Sequence, residues 1–155
     1  MTYRIKGIDA APYRHLYGLS DEELAKQGIV RMTVTQKPSF PCRVSLTDRD
    51  IGERVLLLNH LSHDVANPYR ASHAIFVTEG ADAATEYVDE VPPVFGPRVL
   101  SLRGFDKDGM MTEAILTQPG EADAGIRTLF ENPEVETIHA HNATRGCFAA
   151  KIERN

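Results

Sequence analysis

Residues 134–154 read E-V-E-T-I-H-A-H-N-A-T-R-G-C-F-A-A-K-I-E-R. Ala143-Thr144-Arg145-Gly146 sits between two strand-like runs, so the stretch predicts a terminal β-hairpin with a four-residue loop. Strand side chains alternate between faces. On the first arm Val135, Thr137, His139 and His141 share one face; Glu134, Glu136, Ile138, Ala140 and Asn142 share the other. On the second arm Phe148, Ala150 and Ile152 form the apolar face, and Cys147, Lys151 and Glu153 point away. The loop sets Asn142 opposite Cys147, His141 opposite Phe148 and His139 opposite Ala150. Both histidines then stand on the Phe148/Ile152 face, with Cys147 beside Asn142 on the other. A one-residue bulge near Gly146 would bring Cys147 round to the histidines.

Toward the N-terminus, Val99–Phe105 and Met110–Leu116 flank D-K-D-G and predict a second hairpin. Between the hairpins, Pro119–Phe130 predicts a helix with Ile126, Leu129 and Phe130 on its apolar face, ended by Asn132-Pro133. Further upstream, Tyr3–Ile8 predicts a strand and Ala11–Leu19 a short helical or turn segment. Ser20 with Glu23 makes a capping box for a short helix that Gly28 stops. Ile29–Thr35, Cys42–Leu46, Val55–Leu58 and Ala74–Thr78 predict strands; Thr47–Glu53 predicts a turn and Ser62–Ser72 a loop. Gly80–Val91 is acidic and alanine-rich, a mobile segment or a short helix, and Pro92, Pro93 and Pro97 make the next piece of chain extended. The order is not a strict βα alternation. It predicts an α+β fold in a single domain over 1–155: a mixed, mainly antiparallel sheet with two or three short helices. No glycine-rich phosphate fingerprint comes after a strand, which makes Rossmann and P-loop readings poor.

The chain has 155 residues, enough for a substantial core, and a net charge of -5. That charge argues against a nucleic-acid or acidic-membrane partner, though a local basic pocket remains compatible with it. No segment reaches the roughly 18 apolar residues of a membrane span, and a cytoplasmic location is expected. Cys42 and Cys147 are the only cysteines; two are too few for a disulfide framework, so free thiols are expected.

Three chemistries fit the terminal stretch. The first is a small-molecule site for an anionic ligand, enzymatic in its stronger form. His139 would be the general base, Cys147 or Cys42 the nucleophile, and Arg43 the anion clamp. Asn142, Arg145 and the loop residues Tyr69 and Arg70 would bind the ligand. The second is a non-catalytic homodimer, with Val88, Val91, Val94 and Phe95 of the Gly80–Pro97 segment packing across an interface. The third is zinc held by His139 and His141, with Cys147, Cys42 or His73 completing the set. Each has a plainer counterpart. A histidine on an inward strand face is commonly a hydrogen-bonded core residue, a cysteine is often a small buried hydrophobe, and Arg145 in a turn is solvated. His60 and His63 read as surface histidines, and Asp106–Gly109 as a turn rather than a calcium loop. The identity of any cofactor is left open by these residues.

Three pieces taken together resemble the DUF1203 family of small bacterial proteins of unknown function. They are P-C-R-V-S-L with G-E-R-V-L-L-L after it (Pro41 to Leu58), P-Y-R-A-S-H-A-I-F-V (Pro68 to Val77), and the terminal I-H-A-H-N-A-T-R-G-C-F-A-A-K-I-E-R (Ile138 to Arg154). The likeness lies at Cys42-Arg43, Pro68-Tyr69, Ile75-Phe76-Val77, His139, Asn142, Gly146, Cys147 and Phe148. His141 stands where the family pattern is variable, often arginine, and Thr78 where relatives can carry histidine. The resemblance implies no activity, substrate or cofactor. It implies that Cys42-Arg43 and the terminal hairpin belong to one site.

Overall fold

A computed structural model describes residues 1–155. In chain order the strands are β1 (Tyr3–Lys6), β2 (Val30–Thr33), β3 (Pro41–Cys42), β4 (Thr47–Asp48), β5 (Arg54–His63), β6 (Ala71–Thr78), β7 (Glu86–Val88), β8 (Leu100–Phe105), β9 (Met111–Thr117), β10 (Thr137–Asn142) and β11 (Phe148–Arg154). Helix α1 (Asp21–Ala25) lies between β1 and β2, and α2 (Ala122–Phe130) between β9 and β10. Short 3-10 turns occupy Ala11–Leu16 and Pro93–Phe95. No helix is long and apolar enough to cross a membrane.

The expected α+β architecture is present, but the strands divide into two sheets. One runs β7-β1-β11-β10-β8-β9, with every pairing antiparallel. The other runs β2-β5-β6-β3-β4, and its β3–β6 pairing is parallel. The first sheet is covered on both faces only near its middle: four consecutive residues of β10 are buried, whereas β9 is mostly exposed. On β10, Ile138 and Ala140 join Leu102, Ile126, Leu129 and Ile152 in the main core, while His139 and His141 look the other way, toward the second sheet. Helix α2 lays its predicted face on that core. It lies so close that a Cβ on Gly125 would fall 2.4 Å from Thr117 Cγ2, a space only glycine leaves open. Leu16, Leu24, Leu56, Leu58, Ile75 and Val77 build a second core beneath α1 and the first 3-10 turn. The Ser20/Glu23 capping box is formed at the start of α1.

Several local expectations are corrected. Cys42–Leu46 is not a strand: pairing stops at Cys42, and the chain turns through Leu46, which takes a left-handed φ of 56°. Thr47–Asp48 pairs with Pro41–Cys42, so the expected Thr47–Glu53 turn is shortened to its second half, where Glu53 N–H donates to the Asp50 carbonyl. Strand β5 continues through His60 to His63, so those histidines are not on an open surface; His63 is buried. Gly80–Val91 carries a strand, β7, on the edge beside β1. The apolar anchors assigned to a dimer interface are mostly spent inside the chain: Val94 and Phe95 are buried in the main core and Val91 packs on it, leaving Val88 exposed.

The terminal hairpin forms with Asn142 N–H donating to the Cys147 carbonyl at 3.0 Å and Gly146 at φ 79°. His141 pairs with Phe148 as expected, but Ala140 pairs with Ala150, Ile138 with Ile152, and His139 with Lys151. Ala149 is therefore an extra residue. The bulge lies beyond Cys147, not near Gly146. It turns Phe148 onto the histidine face and leaves Ala150 and Ile152 in the main core. A second bulge on β5, at Ser62, rotates His63 toward the same layer.

Candidate functional site

The space between the sheets is filled by rings. His63 meets His139 with centroids 4.9 Å apart, His73 meets His141 at 4.8 Å, and His60 meets Phe148 at 5.9 Å. Phe105 closes the far end against His63 and His139. Five of the six histidines of the chain stand in this layer. Several are held by one ring nitrogen. His63 Nε2–H donates to the Gly109 carbonyl at 2.8 Å, and His141 Nδ1–H donates to the Gly146 carbonyl at 3.0 Å. His60 Nδ1 lies 2.6 Å from the Tyr13 hydroxyl, and His73 Nδ1 lies 2.9 Å from Ser62 Oγ.

This layer decides the fate of His139. It is 2% exposed. Burial first, then the neighbouring His63 and His141 and the charges of Lys151 and Arg103, push its pKa down to about 3. Burial likewise takes His141 down to about 4, against the opposing hydrogen bond to Gly146. Both are neutral packing residues at pH 7. His139 does not line the cleft that holds Cys147, so the expected pairing of this base with that nucleophile is corrected. The zinc set does not assemble either. His139 and His141 have ring centroids 6.4 Å apart, and no group of three or more His, Cys, Asp or Glu is placed to hold a metal ion.

At the end of the layer lies an open cleft of about 690 Å³ between the β3–β6 side of one sheet and the loop of the terminal hairpin. Cys147, Asn142, Arg145 and Arg43 all line it, together with Arg98 and His73. Arg43 is the anchor. It comes just after β3, is 2% exposed, and crosses to the hairpin: Nε–H donates to the Phe148 carbonyl at 2.7 Å and Nη1–H to the Pro41 carbonyl at 2.6 Å. Its Nη2 donates to Cys147 Sγ at 3.3 Å, and Asn142 Nδ2 donates to the same sulfur at 3.3 Å. No carboxylate pairs with Arg43. Burial pushes its guanidinium below the ordinary value, and charge on Cys147 works against that shift. Asn142 Oδ1 is buried without a hydrogen-bond partner.

The other expected site residues lie elsewhere. Cys42 is 0% exposed in the second core, where its sulfur accepts from Thr78 N–H at 3.3 Å. Burial acts to raise its thiol, but hydrogen bonds from Thr78 and Ser45 outweigh it and hold the thiol below its ordinary value. Both cysteines are free. Tyr69 packs edge-on to Phe105, and Arg70 pairs with Asp64; neither reaches the cleft. Arg98 forms a bidentate pair with Asp48, both bonds at 2.7 Å, and also donates to the Val94 carbonyl. His73 was visible in the sequence only as a possible metal ligand. Its place at the cleft depends on β6 lying between β5 and β3, which no local pattern announces.

The chain has no match among curated proteins or among solved structures. One family model matches, described as a protein of unknown function (DUF1203), over residues 39–154. That span takes in β3 with Arg43, both sheets' central strands and the whole terminal hairpin. The chain belongs to the DUF1203 family.

Proposed function

We propose that the protein binds a small anionic molecule in the Arg43–Cys147 cleft, with Cys147 as the reactive group. One observation carries this: a buried guanidinium without a carboxylate partner donates to a cysteine sulfur that opens on a cleft. A buried positive charge is costly without a counter-ion. A Cys147 thiolate or a bound anion supplies one, and the two roles are compatible in turn. The cleft lining supports the sign of the ligand. It includes Arg43 and Arg145, neither paired with an acid, and no Asp or Glu, while Arg98 at its edge is already paired with Asp48. Met32, Leu57 and Phe76 give it an apolar wall.

In the enzymatic form Cys147 is the nucleophile, Arg43 and Asn142 stabilise negative charge on its sulfur, and Arg145 receives the anionic end of the ligand. The acid–base role passes to His73. Burial lowers its pKa, so the ring is neutral at pH 7 and able to accept a proton. A reducing cytoplasm suits two free thiols.

Alkylation kinetics test the proposal. Iodoacetate and iodoacetamide differ in charge but present the same carbon to sulfur. Cys147 is expected to react ahead of Cys42. Its iodoacetate-to-iodoacetamide rate ratio should exceed that of free cysteine by about tenfold and fall in Arg145→Ala. A ratio equal to that of free cysteine sinks the anion site.

A further inference from the structure

Cys147 has no partner cysteine in its cleft. Cys42 is fully buried, points into the second core and is bonded there to the Thr78 amide. An intramolecular disulfide is therefore not available to Cys147 without unfolding that core, and any sulfur partner must come from solution. Three features of the cleft describe that partner. Two N–H donors, Arg43 Nη2 and Asn142 Nδ2, converge on Sγ at 3.3 Å each, which suits a sulfur that alternates between anion and bonded sulfur. The lining carries two arginines without an acidic partner, buried Arg43 and exposed Arg145, and no carboxylate; the charge of Arg98 is already met by Asp48. The volume of about 690 Å³ is that of a small-molecule site, not of a protein interface.

We propose that Cys147 undergoes thiol–disulfide exchange with small acidic disulfides and holds the resulting anionic thiol as a mixed disulfide in the cleft. The Cys147 thiolate attacks one sulfur of the small disulfide. The Sγ–S bond forms as the S–S bond of the small molecule breaks, and the second sulfur leaves with the electron pair as a thiolate, which takes its proton from solvent. One disulfide is consumed and one is formed, so no further oxidant enters. Attack by another small thiolate on the mixed disulfide reverses the step and restores Cys147. Arg145 faces the carboxylates of the bound thiol, and Met32, Leu57 and Phe76 carry its apolar part. The proposal rests on the cleft being the anion site proposed for it, and adds the chemical class of the ligand.

The test is a time course of the full-length protein with oxidised glutathione, an acidic disulfide, and with cystamine, a cationic one, monitored by intact-mass spectrometry and peptide mapping. N-acetylcysteine serves as the reference thiol. The adduct is expected on Cys147 alone. The glutathione-to-cystamine rate ratio should exceed that of the reference thiol by about tenfold and drop toward it in Arg145→Ala. Cys42→Ser should leave the adduct unchanged and Cys147→Ser should abolish it. Adduct on Cys42, a preference for cystamine, or no exchange with either disulfide overturns the proposal. Rapid, anion-selective alkylation of Cys147 by iodoacetate without disulfide exchange would leave the anion site standing and remove only the exchange chemistry. Failure of both would remove both.

Discussion

Arg43 Nη2 lies 3.3 Å from Cys147 Sγ across 104 residues of sequence. The contact joins the turn after β3 to the start of β11, so one side chain both staples the two sheets and sets the charge around a thiol. Its other two bonds go to backbone carbonyls of Pro41 and Phe148.

Arg43→Ala leaves those carbonyls without their donor. A buried carbonyl left unsatisfied costs about 1–3 kcal/mol, so urea unfolding should give a stability loss of about 2–4 kcal/mol. Arg43→Lys keeps the charge but cannot reach three acceptors with one planar fork, and should recover only part of the loss. A change in Arg43→Ala below about 0.5 kcal/mol, the range of ordinary surface changes, would contradict the staple.

The imidazole layer makes stability depend on pH. His139 and His141 have folded pKa values near 3 and near 4 against an ordinary 6.5. Between those values the unfolded chain binds more protons than the folded one, so stability rises with pH. It is full above pH 6.5 and is lost as pH falls through 6.5 toward 4 and 3. The slope reaches about 1.4 kcal/mol per pH unit for each imidazole. Urea titrations at pH 7.5, 6 and 5 should show this fall, and His139→Phe should flatten it. Equal stability at all three pH values would mean that these rings are not protonation-sensitive.

Phe148 owes its place in the layer to the Ala149 bulge, and touches His60, His139 and His141. Phe148→Ala should cost about 3–5 kcal/mol, the range for a large core aromatic. Calorimetry or chemical denaturation measures it. A cost near that of a surface substitution would show that the ring faces solvent and that the bulge is misplaced.

Two glycines separate steric from conformational constraint. A Cβ at Gly7 would lie 1.9 Å from the Val44 carbonyl oxygen, a backbone atom that cannot swing away. Gly7→Ala should therefore cost about 3 kcal/mol or more. At Gly146 there is open space around the Cβ position but φ is 79°. Gly146→Ala should cost only about 1–2 kcal/mol. Thermal melts of the pair should keep that order; a larger loss at Gly146 would refute it.

Much of the local structure is legible in the chain. The capping box at Ser20 and Glu23, the apolar face of α2 and the D-K-D-G hairpin each depend on neighbours a few residues away. Asn142 beside Cys147 also results from a four-residue loop and strand parity. Parity then misleads at Phe148, because the bulge at Ala149 is a tertiary accommodation: Ala150 and Ile152 are drawn to the main core while Phe148 is drawn to the histidines. It misleads again at His63, where the extra residue Ser62 turns the ring inward. The Arg43 contact had no local signal; only the family resemblance joined Cys42-Arg43 to the terminal hairpin, and of that pair Arg43 reaches Cys147 while Cys42 stays in the second core.

Residue order was enough for the α+β class, most element positions, and a reactive-looking terminal hairpin with Cys147 next to Asn142. Short-range forces suffice for these: alternation, capping and turn geometry act within a few residues. The division into two sheets came only with the tertiary structure. So did the sealing of His139 between them, and the placing of Arg43 rather than a histidine over Cys147. Those outcomes depend on which distant strands pair and which side chains share the gap between the sheets. That gap exists only once the whole chain has closed around it.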